Sequence, residues 1–159
     1  MTISRRPEDP VDEPFLRRLV IGTVAAQLGA DSWSLPMREH LLNLQYQSRR
    51  MRDKTLFPDG SSQIIVADGE DVGWLFLADL AEEIRIVEIM TLDGYRGKGV
   101  GSAVIGDVLA SAAKPVRLGV NVMNAGAIRL YRRLGFRQTG CDEVQCQMEY
   151  LPPPSPTRR

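Results

Sequence analysis

Three glycines in five residues, Gly97, Gly99 and Gly101, follow a β-rich run from Ile84 to Leu92 and open a helical pattern that reaches Ala113. Glycine removes the Cβ atoms from a tight turn, so the successive N–H groups of Gly97, Lys98, Gly99, Val100, Gly101 and Ser102 are able to close on the oxygens of an anion. The helix that starts here adds its unpaired first-turn amides and the positive end of its dipole. Arg96 and Lys98 bring positive charge to the same place. A phosphate or diphosphate is the group this chemistry would hold. The plainer account of the same glycines is a turn that needs positive φ.

Two familiar nucleotide motifs fit poorly. A P-loop follows Gly-Lys with Ser or Thr, whereas Gly99 follows Gly97-Lys98 and Leu92 occupies the place of the first motif glycine. The stretch Gly97 to Ser102 is also an imperfect GxGxxG past the middle of the chain. Where an acid should hold a ribose, about 20 residues further on, Arg117 stands instead.

The elements that must position this turn form one domain. With 159 residues, 43% of them hydrophobic, the chain is long enough to bury a core without metal or disulfides. Lys plus Arg number 20 and Asp plus Glu number 20, so no charge bias points to nucleic acid or to an anionic membrane, and phosphate affinity must be local. Cys141 and Cys146 lack CxxC spacing, and reduced, buried thiols of a cytosolic protein are expected. Arg17-Arg18 precede an apolar run, but Glu8, Asp9, Asp12 and Glu13 lie upstream, where a signal peptide should be basic. No apolar run approaches the ~18 residues of a membrane span. A cytoplasmic protein is expected.

In chain order, residues 1–12 are polar and are expected to be flexible, residues 13–151 to form the domain, and residues 152–159 to be a Pro-rich disordered tail. Phe15, Leu16, Leu19, Val20 and Val24 recur at helical spacing, giving a first helix from Glu13 to Leu28 stopped at Gly29. A second helix from about Leu35 to Arg52 carries its apolar face on Met37, Leu41, Leu44 and Met51. Gln63 to Ala67 and Val72 to Ala78 read as a hairpin around Asp68-Gly69-Glu70-Asp71.

In the strand Ile84 to Leu92, Ile84, Ile86 and Glu88 alternate with Arg85, Val87 and Ile89. The helix after the turn lines up Val100, Val104 and Val108 and ends before Pro115; Val116 to Val122 is the next strand. This strand, helix, strand unit must be a right-handed crossover between near-parallel strands. A short helix from Ala125 to Leu134 ends at Gly135, and Phe136 to Thr139 with Val144 to Tyr150 make a final hairpin.

Two separated motifs then resemble the GNAT superfamily of acetyl-CoA-dependent N-acetyltransferases. Arg96-Gly97-Lys98-Gly99-Val100-Gly101 is similar to that family's diphosphate loop, and Asn124-Ala125-Gly126-Ala127-Ile128-Arg129-Leu130-Tyr131-Arg132-Arg133-Leu134-Gly135-Phe136 to its Asn, Ala, Tyr, Gly-Phe segment. The resemblance implies an α/β (α+β) fold: a mixed, mostly antiparallel sheet with helices on both faces and two splayed parallel central strands. It implies acetyl-CoA as cosubstrate, no metal, and an amine of a small molecule or peptide as acceptor, with no role for nucleic acid or membrane. Homodimers occur in the family.

By the same resemblance, backbone groups of Ile89, Met90 and Thr91 would face the pantetheine arm, and the diphosphate would reach the loop from Arg96 to Ser102. Tyr131 would protonate the departing thiolate, and an N–H near Met90 would stabilise the oxyanion. Glu88 is the candidate base; a salt-bridged acid is its plainer reading, as core packing is for Tyr131. Asn124 would bind the coenzyme or cap the helix. Relatives that acetylate ribosomal protein N-termini carry a glutamate where Gly119 stands here, which weighs against that acceptor. Tyr46, Trp33 and Trp74 are candidates for an acceptor pocket or for the core, while His40 and the cluster Arg129, Arg132, Arg133 and Arg137 read as solvated surface. The rival readings are a non-catalytic acyl-CoA-binding or sensor module and a nucleotide-dependent oxidoreductase.

Overall fold

The computed structural model describes residues 1–154, so most of the proposed Pro-rich tail lies outside the described residues. Seven strands form one sheet: β1 (Ile3–Pro7), β2 (Ser61–Ala67), β3 (Glu70–Asp79), β4 (Ile84–Thr91), β5 (Val116–Asn121), β6 (Arg137–Cys141) and β7 (Gln145–Tyr150), in the order β1-β2-β3-β4-β5-β7-β6. Every neighbouring pair is antiparallel except β4 and β5. Among the described residues four α-helices cover it: α1 (Glu13–Leu28), α2 (Leu35–Leu56), α3 (Val100–Ser111) and α4 (Ala125–Arg133).

The two faces carry separate cores. Val100, Val104, Ile105, Val108 and Leu109 of α3 pack with Tyr131 of α4 and with Val116, Leu118 and Val120 of β5. On the opposite face Leu16, Leu19 and Val20 of α1 pack with Leu42 and Tyr46 of α2 and with Trp74 and Phe76 of β3. The mixed sheet with helices on both faces is the fold that the resemblance implies. No helix among the described residues is long and apolar enough to cross a membrane.

Local signals placed most element ends. Gly29 at φ 64° closes α1, Gly135 at φ 101° follows α4, and Asp68 with Gly69, both at positive φ, makes the two-residue turn between β2 and β3.

Three expectations need correction. The N-terminal residues 1–12 are not a flexible lead. Ile3 to Pro7 pair along β2 from Ala67 back to Gln63, and Arg6 bonds both oxygens of the buried Asp12, at 2.7 and 2.9 Å. That guanidinium holds the Asp12 carboxyl below its ordinary range. A polar edge strand leaves no apolar alternation in the sequence, because long charged side chains snorkel from it.

The second correction concerns α2, on which Met37, Leu41, Leu44 and Met51 are exposed, while Leu42, Tyr46 and Asp53 are buried. The buried stripe of α2 is thus partly polar, and apolar periodicity pointed to the wrong side of the helix. Trp74 and Tyr46 are core, with the Tyr46 hydroxyl donating to Glu13 Oε2 at 2.7 Å.

The third concerns the cysteines. Cys141 and Cys146 are not reduced thiols but a disulfide that joins directly opposed residues of β6 and β7. Their separation of five residues is what a hairpin needs to bring two side chains face to face across its turn.

Candidate active site

The central parallel pair is joined only at its start. Ile84 opposes Val116 and Arg85 opposes Arg117, and beyond these two rungs β4 and β5 have no register partners. From there β4 continues to pair with β3 through Thr91, and β5 with β7 through Asn121, so each strand keeps one paired edge and one open edge. Ile89, Met90 and Thr91 lie on the open edge of β4. Their N–H and C=O groups on that side need a partner, and an extended, amide-bearing chain supplies one by adding as a short strand.

At the end of β4 the chain makes a short 3-10 turn, Asp93–Tyr95, and enters the glycine loop. Gly97 and Gly99 adopt φ of 73° and 83°, and a Cβ at either position would meet nothing within 4 Å. The left-handed backbone explains why glycine stands there, and the open space beside it is a cradle a ligand can enter. Ala103 N–H bonds Gly99 O at 3.0 Å, which leaves the amides of Val100, Gly101 and Ser102 in the first turn without an intrahelical carbonyl. Val100, itself buried, pins this end of α3 to the core. Lys98 lies over the Tyr95 ring at 5.7 Å, and Arg96 reaches Asp93 at 3.2 Å, both on the surface. These residues fit a diphosphate.

The start of α3 also touches α4: a Cβ on Gly101 would lie 3.5 Å from Leu130 Cδ2. Next to Leu130 is Tyr131, buried against Phe136 with ring centroids 5.7 Å apart. Burial pushes the phenol up to about 12, so it is a protonated donor at any physiological pH. Asn124 caps α4, its Oδ1 accepting the Ala127 N–H at 3.1 Å. Asn124→Ala should therefore cost about 1 kcal/mol in thermal unfolding while Asn124→Asp keeps the cap. A fall in coenzyme affinity in the aspartate variant alone would separate a ligand contact from the cap.

Glu88 owes its place to a bulge. Phe76 opposes Glu88 and Leu77 opposes Ile86, so Val87 is an extra residue on β4. Ile86 belongs to the α3 side of the sheet, whereas Val87 and Met90 pack on the α1 and α2 side. The bulge thus sends Glu88 across to α2, correcting the simple alternation that grouped it with Ile86. There Arg49 Nε and Arg52 Nη2 approach its Oε1 at 3.3 and 3.4 Å. Burial pushes Glu88 up to about 7; the two arginines pull it down and the neighbouring Asp53 carboxyl pushes it further up. A carboxyl poised near neutrality is suited to accepting a proton. Glu88 is neither a surface acid nor a fully compensated ion pair.

Arg49, Arg52 and Asp53 escaped sequence reasoning. Their only signal was that Tyr46, Arg49, Arg50 and Asp53 recur at helical spacing, a polar stripe that reads as solvent face until the sheet is placed beneath it. The basic residues near α4 are engaged at the surface: Arg132 bonds Gln138, and Arg137 reaches Glu149 at 3.2 Å.

Comparison with known proteins agrees with this arrangement. Residues 60–138 match the acetyltransferase (GNAT) domain. The PaiA N-acetyltransferase of Thermoplasma acidophilum, solved in complex with coenzyme A, superposes with a TM-score of 0.73 at 19% identity, over 95% of this chain and 99% of that one. The chain belongs to the GNAT superfamily. Among relatives, an uncharacterized N-acetyltransferase of Methanocaldococcus jannaschii is 38% identical over 72 residues, 43% of this chain and 32% of that protein. An N-alpha-acetyltransferase of Sulfurisphaera tokodaii is 32% identical over 88 residues, 45% of this chain and 53% of that protein. The matched region thus spans about a third to a half of these relatives' length.

Proposed function

We propose that the protein transfers an acetyl group from acetyl-CoA to a primary amine of a small molecule or peptide, directly and through a tetrahedral intermediate. The observation that carries this reading is the parting of β4 from β5 after two rungs, with the open glycine loop at the end of β4. The open edge at Ile89, Met90 and Thr91 suits the amides of the pantetheine arm. The loop Arg96 to Ser102 suits its diphosphate.

Acetyl-CoA supplies an activated acyl carbon, and the protein supplies proton control and charge stabilisation. Glu88 accepts the proton of the attacking amine, directly or through water, and a backbone N–H near Met90 donates to the oxyanion. Tyr131 donates its proton to the leaving sulfur. The relative named an N-alpha-acetyltransferase keeps peptide amines among the acceptors, although Gly119 leaves β5 without the acid found in the ribosomal-protein enzymes.

The test is thiol release from acetyl-CoA across a panel of primary amines, paired with thermal shift. Stabilisation by coenzyme A with no thiol release for any amine would support the sensor reading, and stabilisation by NADPH instead would support an oxidoreductase. With an active amine in hand, kcat/KM should rise as pH passes through about 7, where Glu88 loses its proton. Glu88→Gln should remove that acid limb.

A further inference from the structure

Glu88 does not stand alone. Asp53, on the last turns of α2, is only 1% exposed, and Glu88 only 6%. Arg52 Nη2 bridges them, 3.3 Å from Asp53 Oδ1 and 3.4 Å from Glu88 Oε1. The shared guanidinium nitrogen makes the two carboxyl groups neighbours, the Asp53 carboxyl pushes Glu88 up, and Asp53 Oδ2 is buried with no donor among the described residues. Two ionised carboxylates facing one another out of water repel, and an oxygen left without a donor adds a desolvation cost of its own. One proton between them removes both penalties.

We propose that Asp53 and Glu88 form a carboxyl pair that holds a single proton between them, and that Asp53 through this contact governs when Glu88 becomes free to take the acceptor's proton. Asp53 is a positioning residue on this account. The proposal rests on the acetyl-transfer reading for its role, not for its existence.

The charges around the pair support a shared proton. Those that face it among the described residues are Arg49, Arg50 and Arg52, all on α2, while β3 sets the aromatic Phe76 opposite Glu88. Arg50 is committed to Glu8 at 2.6 Å, which leaves Arg49 and Arg52 to the pair. Arg52 is half-exposed, so the pair has a path to solvent beside it. In the transfer step the N–H bond of the acceptor breaks, the proton forms an O–H bond on Glu88, and the charge of the pair rises by one. The proton then passes to water beside the half-exposed Arg52, whose guanidinium stays protonated throughout.

Two measurements test the pair. In the wild-type protein, carbon NMR of the side-chain carboxyls should show Asp53 and Glu88 titrating together in two steps, each carbon sensing both. In Asp53→Asn the amide would donate to Glu88 permanently, so Glu88 should titrate once, about one pH unit or more lower. In Glu88→Gln the Asp53 carbon should lose its upper step. The acid limb of kcat/KM in Asp53→Asn should move down by the same amount, which loss of packing alone would not produce.

Independent single-step titrations in the wild type, or a Glu88 titration unmoved in Asp53→Asn, overturn the pair. If no amine supports thiol release, the acetyl-transfer reading fails while the carboxyl titrations still decide whether the proton is shared.

Discussion

On the acetyl-transfer proposal, Gly99→Asp should weaken coenzyme A binding about a hundredfold or more and leave a folded protein. Gly99 sits at φ 83° as the residue before α3, where an aspartate tolerates the left-handed region better than most side chains and meets nothing within 4 Å. The strain should cost about 1 kcal/mol. The same carboxylate occupies the cradle with the wrong sign of charge. It repels each phosphate, so affinity should fall by two powers of ten or more, about 3 kcal/mol. Calorimetric titration with coenzyme A reads the loss, and thermal unfolding confirms the fold. An unchanged dissociation constant would place the diphosphate elsewhere on the molecule.

On the same proposal, Tyr131→Phe should lower kcat on the order of 100-fold and leave the affinity for coenzyme A nearly unchanged. The variant deletes one oxygen from a ring otherwise packed against Phe136, so it makes no large cavity. Burial alone raises the Tyr131 phenol to about 12. That would make it a weak acid toward a solvated thiolate, but a sulfur leaving in the same apolar surroundings is destabilised as an anion too, and the match is restored. The readout is pre-steady-state thiol release, in which the chemical step slows while binding amplitudes hold. Equal kcat in the two proteins would remove Tyr131 from the reaction and return it to the core.

What was legible in the sequence was whatever is encoded over a few consecutive residues. The positive-φ glycines at 97 and 99, the α1 stop at Gly29, the Asn124 cap and the apolar spacing of α3 each have a local cause, and the structure keeps all of them. From such pieces the strand, glycine loop, helix order and the family resemblance could be reached. With them came the candidate coenzyme loop.

The bulge at Val87 is different, because no property of Val87 or its neighbours announces it. It exists as a mismatch of register between β3 and β4, and it alone decides that Glu88 faces α2 rather than the α3 core. The polar stripe of α2 shows the same dependence. Arg49, Arg52 and Asp53 look like solvent-facing residues until the sheet beneath them is known, and the apolar residues that seemed to mark the core face are exposed.

By itself the sequence determined the glycine loop, the helix ends and caps, and the order of elements around them, because backbone conformation and helical periodicity are settled by near neighbours. Only the tertiary structure decided the N-terminal edge strand, the Cys141–Cys146 bond and the placing of Glu88 beside Asp53. Each depends on which residues lie opposite one another, and pairing of that kind is set by register and packing across the sheet.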